Sequence, residues 1–573
     1  MIHRTFGTVY TYFVLFLLVW TVNGQEETFG DFETLTSGQG WYYKGCTVDL
    51  NTDSFTGHHS LHVINRQAAW GGIYFDVSVK PLTNYYFHAR IKLLNISPRK
   101  LTSNVQVTNL VNSTGHGSRH QKLGEVRFMQ PNIWQEIGGD FTTPPDVTGV
   151  SIYVQLQDID VNYLLDSAVF NEVPSLSPTW RQDSDTLIDK LRKDDIHIRV
   201  QEEFGSSNLT VELQQLKSEF AFGSAVNAEY IVNPNYKGYQ DFFYDTFEWG
   251  VLENKLKWKQ MEWSHGHVNH DLASNAINAM VAKGTKIRAH NIFWGIEKNI
   301  PKWQSSIPDD QIKGTLVDRL NDIVPFTKGK VEHWDVNNEN IHGNYYEEKT
   351  GYVNLTMWMF RETHKLDPKV KLFLNDFAVV NERYSGEAYY NQGMLFKTTP
   401  DVPIYGLGVQ SHLKTHVDPE VLKFRLDRLA RIGLPIWITE LDISNYDVNA
   451  KADYLEDVLR LYFSYPSIEG IMFWGFWSGH ISKPAAALAD GSPNTVKANP
   501  AGERLRKLIK QDWRTNESKS LSSGATTIRA FRGDYSLKLL KNGQIIYSEN
   551  FTLSKGGRYL DLHLTGSTVS IIG

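Results

Sequence analysis

The chain has 573 residues and a single cysteine, Cys46. No disulfide can form within it, which excludes a disulfide-stapled scaffold, and Cys46 is expected to be a buried, inert thiol. An excess of basic charge is also missing. The 58 Lys and Arg stand against 64 Asp and Glu, a formal net charge of −6, so nothing in the charge balance favours a nucleic-acid partner. Beyond one apolar run over residues 9–20 there is no long hydrophobic stretch, and that run is short for a membrane span. The G-x-S-x-G turn of serine hydrolases and the G-x-x-x-x-G-K-[ST] phosphate loop are both absent.

Aromatic residues are plentiful, with 16 Trp, 27 Tyr and 29 Phe. Sugar rings present apolar C–H faces that stack on Trp and Tyr, which points towards polysaccharides, although cores draw on the same side chains. At the N-terminus, His3 and Arg4 precede the apolar run, and Val22-Asn23-Gly24 precede Gln25. This is the pattern of a signal peptide over 1–24, so the mature protein is expected to be secreted, extracellular and free of membrane. Glycosylation sequons at Asn95, Asn112, Asn208, Asn354, Asn516 and Asn550 agree with that compartment.

At about 150 residues per domain, the length suggests three or four domains. Residues 25–172 alternate in short runs (60–65, 72–79, 85–93, 103–111 and 150–156) divided by Gly, Asn, Pro and Asp, which predicts a β-sandwich of jelly-roll type. A linker and a strand segment are expected over 173–218, opening with Pro174-Ser175-Leu176-Ser177-Pro178. From 219 to 511 the rhythm becomes strand, loop, helix. Apolar runs fall at 220–227, 247–254, 286–293, 331–338, 370–377, 405–412, 435–442 and 468–477. Helical patterns lie between them; one has Asp418 as N-cap, Pro419 at its first position, Leu422, Leu426 and Leu429 on one face, and Gly433 at its end. Eight such units predict a (β/α)8 TIM barrel, and no glycine-rich phosphate turn follows the first strand to favour an open doubly wound sheet. Residues 512–573 return to short β segments, so a small C-terminal β domain is expected.

A barrel enzyme places its chemistry where strands end. Here those positions hold Glu253 and Asn254, His290 and Trp294, Asn338 and Glu339, Asn375 and Asp376, Gln410 and His412, Glu440 and Asp442, and Trp474 and Trp477. Glu339 and Glu440 end opposite strands. Cleaving a glycosidic bond needs such a pair, one carboxyl to protonate the leaving oxygen and one to attack the anomeric carbon. Asn338 is placed to hydrogen-bond a sugar 2-hydroxyl, His412 to hold Glu440, and Gln410 to orient Glu339.

The run His333-Trp334-Asp335-Val336-Asn337-Asn338-Glu339 resembles the acid/base motif of glycoside hydrolase family 10, and Ile438-Thr439-Glu440-Leu441-Asp442 its nucleophile motif. Glu253-Asn254-Lys255-Leu256-Lys257-Trp258 resembles its sugar-binding motif, and Arg288-Ala289-His290-Asn291-Ile292-Phe293-Trp294 its third-strand motif. The resemblance implies a retaining endo-β-1,4-xylanase that needs no cofactor and acts on a β-1,4-linked plant polysaccharide, with no protein partner implied. Glu339 would be the acid/base and Glu440 the nucleophile. Glu253, Asn254, Lys257, His290, Trp294, Asn338, Gln410, His412 and Trp474 would line the subsites on the non-reducing side of the cleaved bond.

The N-terminal region resembles the carbohydrate-binding modules that accompany such barrels, through Phe32-Glu33, the stretch 57–60, Trp70-Gly71-Gly72 and Leu165-Asp166. That implies stacking by Trp41, Tyr42, Trp70 and Tyr153, and a structural calcium held by Glu33 with Asp166. Two departures from the family pattern stand out. Gly295 follows the third-strand Trp where many members have His, and Ser478-Gly479-His480 replaces an Asp and a second Trp. A more open wall there would admit glucose and extend activity to cellulose or mixed-linkage glucan. The cluster His265-Gly266-His267-Val268-Asn269-His270 has zinc-like spacing but sits off the strand ends without a completing ligand, so no metal is expected. The alternative is a non-catalytic polysaccharide-binding protein on the same fold, which loss of either glutamate would favour.

Overall fold

The computed structural model describes residues 28–35, 40–96, 100–114, 117–202, 208–521, 524–565 and 568–571. The signal-peptide reading over 1–24 lies outside them. Eight parallel strands close a barrel: β1 (Ala221–Val226), β2 (Trp249–Leu252), β3 (Lys286–Trp294), β4 (His333–Asn338), β5 (Lys371–Asp376), β6 (Gly406–Leu413), β7 (Ile436–Ile443) and β8 (Ile468–Phe473). Side chains alternate between the two faces of each strand. Ile436 and Ile438 therefore pack outwards in the core shared with the helices, while Trp437 points inwards. The lumen is filled: Trp249 meets Trp437 at 4.9 Å, His333 meets Trp437 at 4.3 Å, and the Arg288 guanidinium lies 4.4 Å over Phe373. Helix Pro419–Ala430 starts as its sequence predicts, with Asp418 Oδ1 accepting from the amides of Glu420 and Val421.

Residues 28–172 form a sandwich of a six-stranded and a five-stranded antiparallel sheet. Trp41 is a core residue here, not a surface platform. It is 7% exposed and stacks on Phe75 at 4.8 Å, with Phe32 against its edge. Tyr42, Tyr74 and Tyr153 stack side by side on the outer face of the five-stranded sheet, where Tyr74 and Tyr153 are each only 8% exposed, so Tyr153 offers an edge and not an open ring face; Trp70 is 46% exposed beside them. Glu33 and Asp166, named above for a structural calcium, are both engaged by backbone amides. Glu33 Oε1 accepts from the amides of His58 and His59, and Asp166 from those of Phe55, Thr56 and Ser167.

The small β domain is larger than its C-terminal segment. It consists of two four-stranded sheets, and each takes a strand from ahead of the barrel. Lys193–Glu202 lies between Ala525–Phe531 and Arg558–Thr565, and Leu209–Ser218 lies between Asn516–Ser520 and Gly533–Lys541. The stretch read from sequence as a linker is docked too. The Leu176 amide donates to Glu420 Oε1, and helix Trp180–Arg192 lies along helix Val448–Phe463 through an Arg181–Asp457 pair at 2.7 Å.

The sandwich sits directly on the barrel. Arg425 binds Asp140 through two bonds of 2.8 and 2.6 Å, and Asn391 exchanges hydrogen bonds with the Glu136 backbone at 2.8 and 2.7 Å. Arg428 bridges the buried carboxylates of Glu136 and Glu387. The Glu125 amide donates to the Tyr384 carbonyl at 2.8 Å.

Candidate active site

Glu339 follows β4, and its φ of 58° lies in the left-handed region that a non-glycine residue rarely adopts. Its amide donates to the Asn375 carbonyl at 2.8 Å, which fixes the turn. Trp294 Nε1 donates to Glu339 Oε2 at 2.7 Å and Gln410 Nε2 donates to Oε1 at 3.1 Å. The carboxyl is buried, and burial raises its pKa, reinforced by the nearby Asp376 and Glu440 charges.

Glu440 lies on β7 next to Gln410 of β6, and Asp442 next to His412. His412 Nε2 donates to Glu440 Oε2 at 3.2 Å, and Asn375 Nδ2 donates to Oε1 at 3.3 Å. Burial pushes the Glu440 carboxyl up. The His412 bond, together with the neighbouring His290, His412 and Lys257, outweighs it, so the net shift is downwards. His412 also donates to Asp442 at 2.5 Å, and Lys483 donates to the same carboxylate at 3.0 Å. Burial opposes the His412 charge, but the Asp442 and Glu440 bonds raise its pKa to about 9.

Among the expected subsite residues, Lys257 Nζ donates to Asn254 Oδ1 at 3.0 Å and lies 4.9 Å from the Trp294 ring and 5.7 Å from that of Trp474. His290 donates to Asp335, which also pairs with Arg288. Asn338 is fully buried, and its Nδ2 has no protein partner while its Oδ1 accepts from Asn375. Glu253 accepts from His480 Nε2 at 2.9 Å.

The two departures have structural reasons. At Gly295 a Cβ would fall 2.1 Å from the Gly343 carbonyl oxygen, so no side chain fits there. Trp477 is turned into the wall, bonding the Gly491 carbonyl, and the half-buried His480 pairs with Glu253. The histidine cluster is dispersed: His265 stacks on Trp303, His270 pairs with Asp322, and no group of metal ligands occurs among the described residues.

Sequence reasoning assigned no role to Asn375, Asp335, Lys483 or His480. Asn375 and Asp335 carried a usable signal: Asn375 ends an apolar run, and Asp335 is an acidic residue inside a buried strand. Lys483 and His480 lie in a loop with no such marker.

Two buried carboxyls held at facing strand ends of a closed barrel define a glycoside hydrolase type of site. Residues 213–485 match the family model described as glycosyl hydrolase family 10, and residues 28–163 match a carbohydrate binding domain. The barrel of this chain belongs to glycosyl hydrolase family 10, with a carbohydrate-binding domain ahead of it. The chain is 30% identical over 462 residues to endo-1,4-beta-xylanase 1 of Arabidopsis thaliana, covering 80% of this chain and 48% of that protein. It is 33% identical over 389 residues to the anti-sigma-I factor RsgI6 of Acetivibrio thermocellus, covering 67% and 50%. It thus spans about half the length of these two curated relatives. Xylanase 10B of Thermotoga petrophila, solved with xylobiose, superposes with a TM-score of 0.47 at 21% identity, covering 51% of this chain and 95% of that one.

Proposed function

We propose that this protein is a retaining endo-β-1,4-glycanase that hydrolyses internal bonds of xylan. One observation carries the reading: of two facing carboxyls, Glu339 is held towards its protonated form and Glu440 towards its ionised form. Glu440 attacks the anomeric carbon while Glu339 gives its proton to the departing sugar oxygen. Glu339 then removes a proton from water, which attacks the same carbon and releases Glu440. The unpaired Asn338 Nδ2 is the donor for the 2-hydroxyl, a contact that strengthens as positive charge develops on the ring. Lys257, Trp294 and Trp474 receive the non-reducing side of the chain. Cellulose and mixed-linkage glucan are secondary substrates in this reading, because His480 leaves a polar, half-open wall. No cofactor takes part. Secretion is part of the same proposal, supported by the N-terminal apolar run and by exposed sequon asparagines at 95, 208, 516 and 550.

Two inversions at one carbon retain its configuration. Proton NMR of the earliest product from xylan should therefore show the β anomer, with the α anomer growing in by mutarotation. An α anomer appearing first would overturn the assignment of Glu440 as nucleophile.

A further inference from the structure

We propose that the five-stranded sheet of the sandwich and the leaving-group end of the cleft form one continuous track for a single β-1,4-xylan chain, joined at Tyr384. This rests on the xylanase reading and adds a stretch of binding site on a second domain.

A cleft of about 340 Å³ opens beside Glu339, bordered by Phe377, Tyr384, Gln410, His412 and Lys483. Gln410 and His412, which hold the catalytic pair, border it, but Glu253, Lys257, Trp294 and Trp474 do not, so it runs from the catalytic carboxyls towards the side of the departing sugar. Tyr384 connects it to the sandwich. Its carbonyl accepts from the Glu125 amide, the Lys122 ammonium lies 5.6 Å from its ring, and Arg383 Nε donates to the Lys122 carbonyl at 3.0 Å.

Lys122 begins a row that crosses the whole sheet. The strand register sets Lys122, Thr108, Tyr153, Tyr74 and Tyr42 side by side. Five strands spaced about 4.8 Å apart make this row roughly 19 Å long, enough for several sugar rings. A second row on the same face holds Gln155, Gln106 and Glu125. Glu125 accepts from Asn104, Gln106, Lys122 and Arg127, so the charges on this face are largely compensated. Trp70 marks the far end, where its carbonyl accepts from the Tyr74 hydroxyl at 2.9 Å. With Tyr74 and Tyr153 mostly covered by each other, the row offers tyrosine edges, side-chain amides and paired charges with one open ring at Trp70, a surface that suits a neutral polyhydroxylated chain better than an ionic polymer.

Both parts serve one chain because they are held in fixed register. A module on a flexible linker searches for its ligand independently. Here the Glu125–Tyr384 and Lys122–Arg383 bonds tie the five-stranded sheet to the cleft segment, while the Glu136–Asn391 and Asp140–Arg425 bonds hold the other sheet of the sandwich on the barrel.

Calorimetric titration of the full chain carrying Glu339→Gln with a long linear xylo-oligosaccharide tests the track. One molecule should bind per protein. Trp70→Ala should weaken that event roughly tenfold, the loss expected for one aromatic contact, while leaving xylobiose binding unchanged. Gln106→Ala, at a half-exposed position, should act in the same direction and covers the case in which the Trp70 variant does not fold. Two molecules per protein, or a single event insensitive to both substitutions, would overturn the track, as would no binding at all. Single-site binding sensitive to these substitutions, in a wild type that fails to hydrolyse xylan, would reject the hydrolase reading and leave the track standing.

Discussion

At Glu339 burial and two neighbouring carboxylates act in the same direction, whereas at Glu440 a raised histidine overrides burial. The pH profile follows from those signs. Activity should fail on the acid side as the lowered Glu440 carboxyl takes up a proton, and on the alkaline side as the raised Glu339 carboxyl loses one. His412 stays cationic until about pH 9, so it holds Glu440 across the whole window. Glu339→Ala removes the general acid, which typically contributes about 10²–10⁴ in rate, or roughly 2.7–5.4 kcal/mol of barrier. Xylan turnover should fall by that factor. A nitrophenyl xylobioside, whose leaving group needs no proton, should still give a burst of nitrophenolate followed by a slow steady state that azide accelerates. Equal loss on both substrates would exclude Glu339 as the acid/base. The bonds from Gln410 to Glu339 and from His412 to Glu440 were legible in the sequence because all four residues stand at strand ends. The Lys483–Asp442 and His480–Glu253 pairs were not, since a loop cation carries no periodicity that tells where it lands.

The helix Pro419–Ala430 shows how far patterning reaches at the scale of an element. Its cap and its leucine face were readable, and Leu422, Leu426 and Leu429 are buried as that spacing requires. The other face carries Arg425 and Arg428, which read as solvated cations until the sandwich is placed over them. Arg428 and Arg90 pull Glu136 down to about 2 against its burial, while burial lifts Glu387 to about 7. Glu136 thus contributes stability that is present above its unfolded pKa and lost as pH falls towards 2. Glu387 has the opposite sign, and its contribution fades as pH rises towards 7. Arg428→Ala leaves the buried Glu387 without its cation and Glu136 with Arg90 alone, and loss of one partner from such a buried pair costs about 3–5 kcal/mol. Urea unfolding at neutral pH should register that loss. It should shrink as pH falls towards about 5, because carboxyls without the guanidinium take up protons more readily. A loss independent of pH would mean that Arg428 acts through packing alone.

Over the whole molecule, the barrel was readable because each of its strands is a local run, while the small β domain was not. Val211 pairs with Leu539 and Ile198 with Leu560, and no short window of sequence reveals partners that far apart. Strands that precede and follow the barrel in sequence thus share one core of their own. The sandwich is different, since its strands are all contiguous in sequence and its removal cuts no sheet. Deleting residues 28–172 should therefore leave a folded barrel and small domain. It also strips the 377–391 region of its contacts with Glu125, Lys122 and Glu136, and uncovers Phe424, which packs on Tyr86 at 4.7 Å. The truncated protein should melt several degrees lower, since each kcal/mol is worth about 2–4 °C in domains of 150–250 residues. Its kcat/KM on soluble oligosaccharides extended on the leaving-group side should fall several-fold. Hydrolysis of aryl xylobiosides, which occupy the Lys257 and Trp294 side, should change little. If melting and both activities match those of the full chain, the sandwich is a tether only. If aryl xylobioside turnover falls as far as the rest, the sandwich supports the catalytic carboxyls themselves through the Asp376 to Tyr384 segment.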